Sequence, residues 1–377
     1  MKDICNQVAK REKIAPYVRY GLVFFAFVLI YGCSGKQNDK ITFQWKDNKA
    51  TGVFIPKHII GNIRPDSLNL IEVSLVTGEK PVAILGNYNA ENNAVLFQPL
   101  IPFTRGLHYD IRLKGEQIAR FEIPPADPAD APDLSAIFPS QDTLPENLLK
   151  IYLHFSRPMR EGQSGKYVVL VKNNTDTIRG AFLDLQPELW NENRTVLTLW
   201  LDPGRIKRDL QPNQTLGAPL QKNAAYQITI SPEWQDETGG KLLKNYTRTF
   251  VTSERDSLSP KPSDWKITPP KAGTSQPFKV DFQEPLDHSL LTETLTILSE
   301  NGVHIPGKWQ IGPKEKTAAF TPTQPWNPGK FKLKIQPKLE DLAGNNLNRL
   351  FDRDISRKMS APDPPKNSFE ILFAVSE

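Results

Sequence analysis

The chain has 377 residues with 33 prolines, two cysteines and a formal net charge of +5. Residues 1–32 hold five basic and two acidic residues, so +3 of that charge lies there and +2 remains on residues 33–377. A nearly neutral chain lacks the basic surface of a nucleic-acid-binding protein, and this proline content excludes a largely helical fold. Since Cys5 lies in the first segment, a disulfide framework is excluded as well.

The first predicted element is an apolar run at residues 21–32, which follows several basic residues. The run has 12 residues, whereas a helix needs about 20 to cross a bilayer. A basic stretch followed by a short apolar run is typical of a secretory signal. We therefore expect residues 1–32 to be a signal peptide.

Cys33 follows this run, and the residues before it suggest its role. Ile30, Gly32 and Cys33 resemble the lipobox of bacterial lipoproteins, although Tyr31 is bulkier than the small residue usual there. The resemblance implies cleavage after Gly32, acylation of Cys33 and a tether at residues 33–40. Several acyl chains on one cysteine would anchor the protein stably in a membrane. The alternative is an uncleaved signal anchor with an incidental cysteine.

Three copies of one pattern follow, in which a strand and a proline precede a glycine or asparagine and an aromatic strand. They lie at residues 95–111, 196–228 and 319–335. Such a repeat predicts an all-β chain of tandem immunoglobulin-like β-sandwich modules of about 100 residues each. The expected boundaries are 41–124 for module one, 134–252 for module two and 265–355 for module three. Proline-rich joints separate these modules.

Two strands show the pattern that supports this fold. Ile151, Leu153 and Phe155 alternate in module two, and residues 278–282 alternate in module three. Alternation of this kind predicts one buried and one solvated face, so His154 is expected to point to solvent. The tail at residues 362–377 contains a further strand, which either adds an edge to the third sheet or awaits a partner.

Short motifs make a family resemblance possible for modules two and three. Residues 155–159 (FSRPM), 249–252 (TFVT) and 341–345 (DLAGN) resemble the bacterial Ig-like domain first described in S-layer proteins. Module two departs from the pattern with Gly240 where asparagine is usual. Module one keeps only the central hairpins. The resemblance implies a structural or adhesive role at a cell envelope and carries no catalytic residues.

Residues with catalytic or metal-binding chemistry form no recognisable motif. The five histidines lack metal-ligand spacing, and no nucleophile elbow or phosphate-binding loop is present. Asp236 and Asp341 lie in glycine-containing turns, where they act as turn residues or, alternatively, as calcium ligands. We therefore predict a protein that is not an enzyme and has no cofactor and no metal.

One insertion in module two, at residues 202–213, is a candidate ligand site because long loops on sandwiches often carry function. Arg205, Lys207 and Arg208 could bind a carboxylate, a phosphate or a sulfated glycan. The alternative is a solvated loop whose basic residues form ion pairs with Asp202 and Asp209.

Trp326 lies in a proline- and glycine-containing loop and is the candidate for an exposed ring that stacks on a sugar. The other tryptophans lie in or beside strands and are expected to be core or junction residues.

The sequence thus predicts a non-catalytic outer-membrane lipoprotein that acts as a spacer or binding stalk. Ser34 resembles the outer-membrane sorting position of enteric lipoproteins. The expected partners are a membrane, through the lipid, and an envelope protein or glycan, but no nucleic acid. The alternatives are a carbohydrate- or protein-binding accessory module and an enzyme hidden in module one.

Overall fold

The computed structural model describes residues 40–61, 65–78, 80–352 and 365–377. The predicted signal peptide, Cys33 and the start of the tail lie outside these residues. Within them, the predicted all-β fold of tandem β-sandwiches is confirmed, since the strands form six sheets and the helices are short. No helix in these ranges is both long and apolar enough to span a membrane.

Module one is a sandwich of two four-stranded sheets around one apolar core. The sheets have the strand orders β1-β2-β6-β5 and β4-β3-β7-β8. Val53, Phe97 and Ile111 are fully buried between them. The elements are β1 (Thr42–Lys46), β2 (Lys49–Pro56), α1 (Lys57–Ile60), β3 (Ile71–Thr77), β4 (Lys80–Ala83), β5 (Gly86–Ala90), β6 (Ala94–Pro99), β7 (His108–Leu113) and β8 (Glu116–Glu122).

Module two packs a five-stranded sheet, β10-β17-β16-β12-β13, against a four-stranded sheet, β14-β15-β11-β9. The alternation predicted for β11 is confirmed, because Ile151, Leu153 and Phe155 are all buried in the core. The elements are β9 (Leu134–Phe138), β10 (Thr143–Pro145), β11 (Lys150–Phe155), α2 (Ser164–Tyr167), β12 (Val168–Lys172), β13 (Asp176–Thr177), β14 (Leu189–Trp190), β15 (Val196–Trp200), α3 (Pro203–Ile206), α4 (Gln211–Leu216), β16 (Ala225–Ile230) and β17 (Tyr246–Ser253).

Module three packs the sheet β18-β19-β22-β21 against the sheet β20-β23-β24. Phe278, Val280 and Phe282 are buried in its core, as their alternation predicts. The strand expected in the tail is β24, and it pairs antiparallel with the whole length of β23. The elements are β18 (Lys266–Thr268), β19 (Phe278–Asp281), α5 (His288–Thr294), β20 (Leu295–Ser299), β21 (Gly307–Ile311), β22 (Thr317–Pro322), β23 (Gly329–Ile335) and β24 (Phe369–Val375).

The motif at residues 341–345 of module three forms a buried turn, and the contacts of this turn explain the motif. Asp341 Oδ1 accepts hydrogen bonds from the backbone N–H groups of Ala343 and Asn345 at 2.8 and 2.9 Å. A β-bridge between Leu286 and Asp341 joins this turn to the segment that follows β19. The aspartate therefore replaces a backbone partner inside the turn.

Module two repeats this turn with Asp236. Its Oδ1 accepts from the N–H groups of Thr238 and Gly240 at 2.9 and 2.8 Å, and a β-bridge joins it to Met159. Because Gly240 replaces the asparagine of module three, Asp236 Oδ2 has no hydrogen-bond partner in the described part of the chain. The nearest cation is Arg157, whose Nη1 lies 3.8 Å away.

The turn of module three also joins it to module two. Leu342 is buried within the apolar core of module two, and its carbonyl accepts a 2.9 Å hydrogen bond from Leu149 N–H. Phe351 packs on the same core from the end of module three. Modules two and three therefore share a core.

The junction of modules one and two is polar by comparison. The Arg105 N–H donates to the Thr238 carbonyl at 3.4 Å, and Lys49 forms a 2.8 Å ion pair with Glu237. The same turn of modules two and three thus contacts the module that precedes it.

Candidate ligand-binding groove at the junction of modules two and three

A groove of about 850 Å³ lies where the end of β9 in module two meets the outer face of the sheet β18-β19-β22-β21 in module three. Apolar side chains such as Phe138 and Ile311 line it together with lysine, carboxylate and amide side chains. Junctions between domains are common positions for ligand sites. The residues that line it include Phe138, Ser140, Lys266, Thr268, Lys279, Asp281, His288, Gln310, Ile311, Glu315 and Thr317.

An aromatic cluster closes one end of this groove. The rings of Phe138 and His288 stack with centroids 3.5 Å apart, and His154 lies edge-on to both at 5.0 and 5.4 Å. The expectation that His154 points to solvent is wrong, because module three covers the face to which it points. His154 Nε2 and His288 Nδ1 are buried without a hydrogen-bond partner among the described residues.

This burial determines the charge of the two imidazoles. Removal from water disfavours the protonated form, so burial lowers the pKa of His154. Burial, with a smaller repulsion from His154, lowers the pKa of His288 to about 4. Both rings are therefore neutral at pH 7 and act as apolar packing groups.

A buried polar network lies beside the cluster. The Tyr152 hydroxyl donates to Asp287 at 2.7 to 2.8 Å, and Lys150 Nζ contacts Asp287 at 3.2 Å and Glu340 at 2.7 Å. Burial raises the pKa of Tyr152, and the Asp287 carboxylate raises it further. Burial alone would lower the pKa of Lys150, but these two carboxylates outweigh it and raise that pKa. The network therefore places one lysine between two carboxylates at the junction of the modules.

Three carboxylates gather on another side of the same junction. Oxygen atoms of Asp256, Glu284 and Asp341 lie within 4.8 Å of one another. Burial, together with repulsion from Asp256, raises the pKa of Glu284 to about 7 and that of Asp341 to about 8. Hard cations bind such oxygens, yet both oxygens of Asp341 already accept hydrogen bonds from its own turn, including one from Asn345 Nδ2 at 2.8 Å. The cluster therefore has a structural explanation without an ion.

Arg205 is not a free cation of the insertion. It is only 5% exposed, and its guanidinium donates to the carbonyls of Gly217, Arg179 and Gly180 at 2.9, 3.0 and 2.7 Å. The expectation that it reaches a ligand is wrong, because these carbonyls occupy its donors and hold the insertion against the body of module two.

Lys207 and Arg208 contact the end of module three, although the Arg208 side chain remains 54% exposed. Lys207 Nζ lies 4.4 Å from the Phe351 ring centroid, and Arg208 Nε donates to Asp352 at 3.0 Å. Arg255 also donates to Asp352, at 2.8 Å. The alternative, in which these residues form ion pairs with Asp202 and Asp209 inside the loop, is wrong, because the ion pair is formed with Asp352 of module three. The insertion therefore connects modules two and three.

Asp202, one of the two partners expected for the loop, has another role. It caps α3 by accepting a hydrogen bond from Gly204 N–H at 2.8 Å. This cap satisfies a backbone donor at the start of the short helix.

Trp326 is buried in the core of module three. It is 3% exposed, its Nε1 donates to the Gln276 carbonyl at 2.8 Å, and its ring packs on Phe331 and Phe373. The expectation of an exposed ring is wrong, because the loop folds back over the end of the sandwich. The structure therefore places the basic residues of the insertion and Trp326 in different modules.

The residues that line the groove were not predicted as site residues from the sequence. Phe138, His288 and Glu315 belong to two modules that are far apart in the chain, and no spacing rule connects them. The alternation of β11 indicates the outward face of Tyr152 and His154, but not the module that covers that face.

Module three is the part of the chain that matches a known protein family. Residues 264–356 match the family model of the bacterial Ig-like domain. Module three is therefore similar in sequence to the bacterial Ig-like domain. The match contains the buried Asp341 turn and the aromatic core around Phe278. No curated protein matches the chain in sequence.

Several solved structures are loosely similar to this chain. The N-terminal part of the bacterial S-layer protein SbsC is 12% identical with a TM-score of 0.23, covering 59% of this chain and 43% of that one. Native E. coli alpha-2-macroglobulin is 12% identical with a TM-score of 0.23, covering 66% and 14%. The chain therefore spans less than half the length of either.

A third structure is the Bacteroides ovatus mixed-linkage glucan utilization locus protein SGBP-B in complex with a mixed-linkage heptasaccharide. It is 12% identical with a TM-score of 0.18, covering 74% of this chain and 56% of that one. TM-scores of this size carry no argument about what the present chain binds.

Proposed function

We propose that the protein is an exported, lipid-anchored and non-catalytic component of a bacterial cell envelope, in which linked β-sandwich modules act as a spacer. The single observation that carries the proposal is the insertion of Leu342 from module three into the core of module two. A spacer must keep its joints from bending, and a shared core achieves this because bending would expose apolar surface. A bacterial Ig-like domain is a module in keeping with an extracytoplasmic role.

The polar contacts at the same joint support this role. Ser140 N–H donates to the Glu315 side chain at 2.8 Å, and Lys150 pairs with Asp287 and Glu340 across the modules. Separating the modules would leave buried charges without partners, which is costly. The joint therefore resists separation through both apolar and charged groups.

The proposed site of lipid attachment is Cys33, because the residues before it resemble a lipobox. Acylation there would attach the chain to the membrane through a tether at residues 33–40 that ends just before β1. With Ser34 after the cysteine, we place the protein in the outer membrane. No nucleic acid enters the proposal, because residues 33–377 carry a net charge of only +2.

Metabolic labelling with a fatty-acid analogue tests the anchor. Cys33→Ser should abolish the label, whereas Cys5→Ser should leave it unchanged, because Cys5 is removed with the signal peptide. A native chain with an unmodified N-terminus, or labelling that depends on Cys5, would contradict the proposal.

The groove favours a second candidate function, binding of a glycan or an envelope protein. Lys279 lines the groove, whereas Lys308 is an exposed lysine of the same sheet outside the lining. In glycan-array and envelope pull-down experiments, Lys279→Glu should weaken binding and Lys308→Glu should not. Equal effects of the two variants would count against a site in the groove.

A further inference from the structure

The outer edge of β24 has no strand partner among the residues that the structure describes. Its inner edge pairs with β23 over all seven residues, from Phe369 to Val375. Within residues 40–61, 65–78, 80–352 and 365–377, no strand and no backbone hydrogen bond covers the other edge. Open edges carry unpaired N–H and C=O groups that can pair with another chain.

Most other edge strands of the described sheets carry features that prevent such pairing. Pro81 interrupts β4, Gly86 begins β5, and β1 has a register irregularity between Gln44 and Trp45. Strand β8 carries charged residues on its edge, and β21 contains a lysine. The remaining protected edges belong to strands of two or three residues, namely β10, β13, β14 and β18.

Only three edge strands of five or more residues in the described chain lack proline, glycine, lysine and arginine, and two of these are covered. Arg248 donates to the Ile137 carbonyl of β9 at 2.6 Å. Residues 303–305 cover β20, where Ile305 N–H donates to the Ile297 carbonyl at 2.9 Å. The third is β24, whose sequence FEILFAV strongly favours a strand. Its central side chain, Leu372, is 75% exposed.

We propose that the outer edge of β24 pairs antiparallel with β24 of a second copy, forming a two-fold symmetric dimer. A symmetric pair centred on Leu372 places the two Leu372 side chains opposite each other. It also places Glu370 opposite Ala374 of the other copy, so that no like charges meet. The buried row of β24, which contains Phe373 and Val375, would continue across the dimer as one core face.

Charges beside the strand suit this register. Lys332 pairs with Leu372 in the neighbouring strand, and its Nζ lies 3.4 Å from Glu370. Lys330 lies opposite Ala374 in the same sheet. In the dimer, Glu370 of one copy therefore faces the row that contains Lys330 of the other copy. The edge strand is self-complementary in its apolar groups, and its one charged residue, Glu370, meets no like charge.

Sedimentation velocity of the full chain, carrying Cys33→Ser to exclude acylation, tests the proposal across a wide concentration range. The chain should dimerise, and Leu372→Lys should make it monomeric because two lysines would meet on the axis. The matched control is Leu85→Lys in module one, since Leu85 is also 75% exposed. It should dimerise like the parent chain.

A charge pair tests the register. Ala374→Lys would face Glu370 of the other copy and should strengthen the dimer, whereas Ala374→Glu should weaken it. The two dissociation constants should differ at least about tenfold, since each contact occurs twice. A monomeric parent chain, open-ended assembly, dimers that survive Leu372→Lys, or equal constants for the Ala374 variants would each overturn the proposal.

Discussion

Replacing Leu342 with alanine should weaken module two, although Leu342 belongs to module three. Its side chain is only 6% exposed and packs in the core of module two. Removing the methyl groups of a buried leucine costs about 2–5 kcal/mol, depending on how far the site can collapse. Because a junction can close partly, we expect about 2–3 kcal/mol. The effect should appear on both sides of the joint.

Hydrogen exchange followed by mass spectrometry checks this prediction, because it reports each module separately. In Leu342→Ala, the slow amides of β10 and β11 should exchange about thirtyfold faster, which corresponds to 2 kcal/mol. The control is Leu339→Ala, since Leu339 is fully buried in the core of module three itself. That variant should accelerate exchange in module three alone.

The outcome that refutes this reasoning is specific. If Leu342→Ala leaves exchange in module two unchanged while module three loosens, the leucine stabilises only its own turn. The idea of a shared core would then fail, and the spacer proposal would lose the observation that carries it.

Three further predictions concern single residues. Gly344→Ala should cost about 2–4 kcal/mol in denaturant unfolding, since φ is +82° and the added Cβ would overlap a leucine of module two. Gly273→Ala has φ +69° but open space, so it should cost about 1 kcal/mol. Arg205→Ala should cost about 3 kcal/mol by leaving buried carbonyls unpaired, whereas Arg208→Ala should cost less than about 1 kcal/mol at its exposed ion pair. The pKa of Glu284 is about 7 when folded against a usual 4.5, so the folded chain keeps a proton that the unfolded chain releases, and stability should fall as the pH rises from 4.5 to 7. In urea melts at several pH values, Glu284→Gln should remove part of this fall; an unchanged pH profile would show that the carboxyl titrates normally.

The strands could be predicted because their signal is local. The alternation of Ile151, Leu153 and Phe155 contains the information about which face is buried, and the repeated motifs give the sandwich. The buried turns of Asp236 and Asp341 were also visible as glycine-containing sequences, because a short side chain satisfies its own backbone.

The candidate site could not be predicted in this way. Whether Trp326 or Arg205 is exposed depends on where its loop folds back, and a loop sequence holds no periodicity that reports this. The position of the Leu342 side chain could not be predicted either, because the sequence places this residue in a turn of module three whereas its side chain enters module two. His154 points away from the core of module two, as the alternation predicts. Whether that face is exposed depends on His288 of module three, which the sequence of β11 does not contain.

The position of Leu342 has a consequence for any attempt to divide this protein. A fragment that stops after β17 would lack a side chain that completes its interior, and a fragment that starts at β18 would display that leucine to water. An exchange or duplication of one half alone would likewise separate this side chain from the core that it fills. Leu342 therefore links the stability of modules two and three, although each module also has an apolar core of its own.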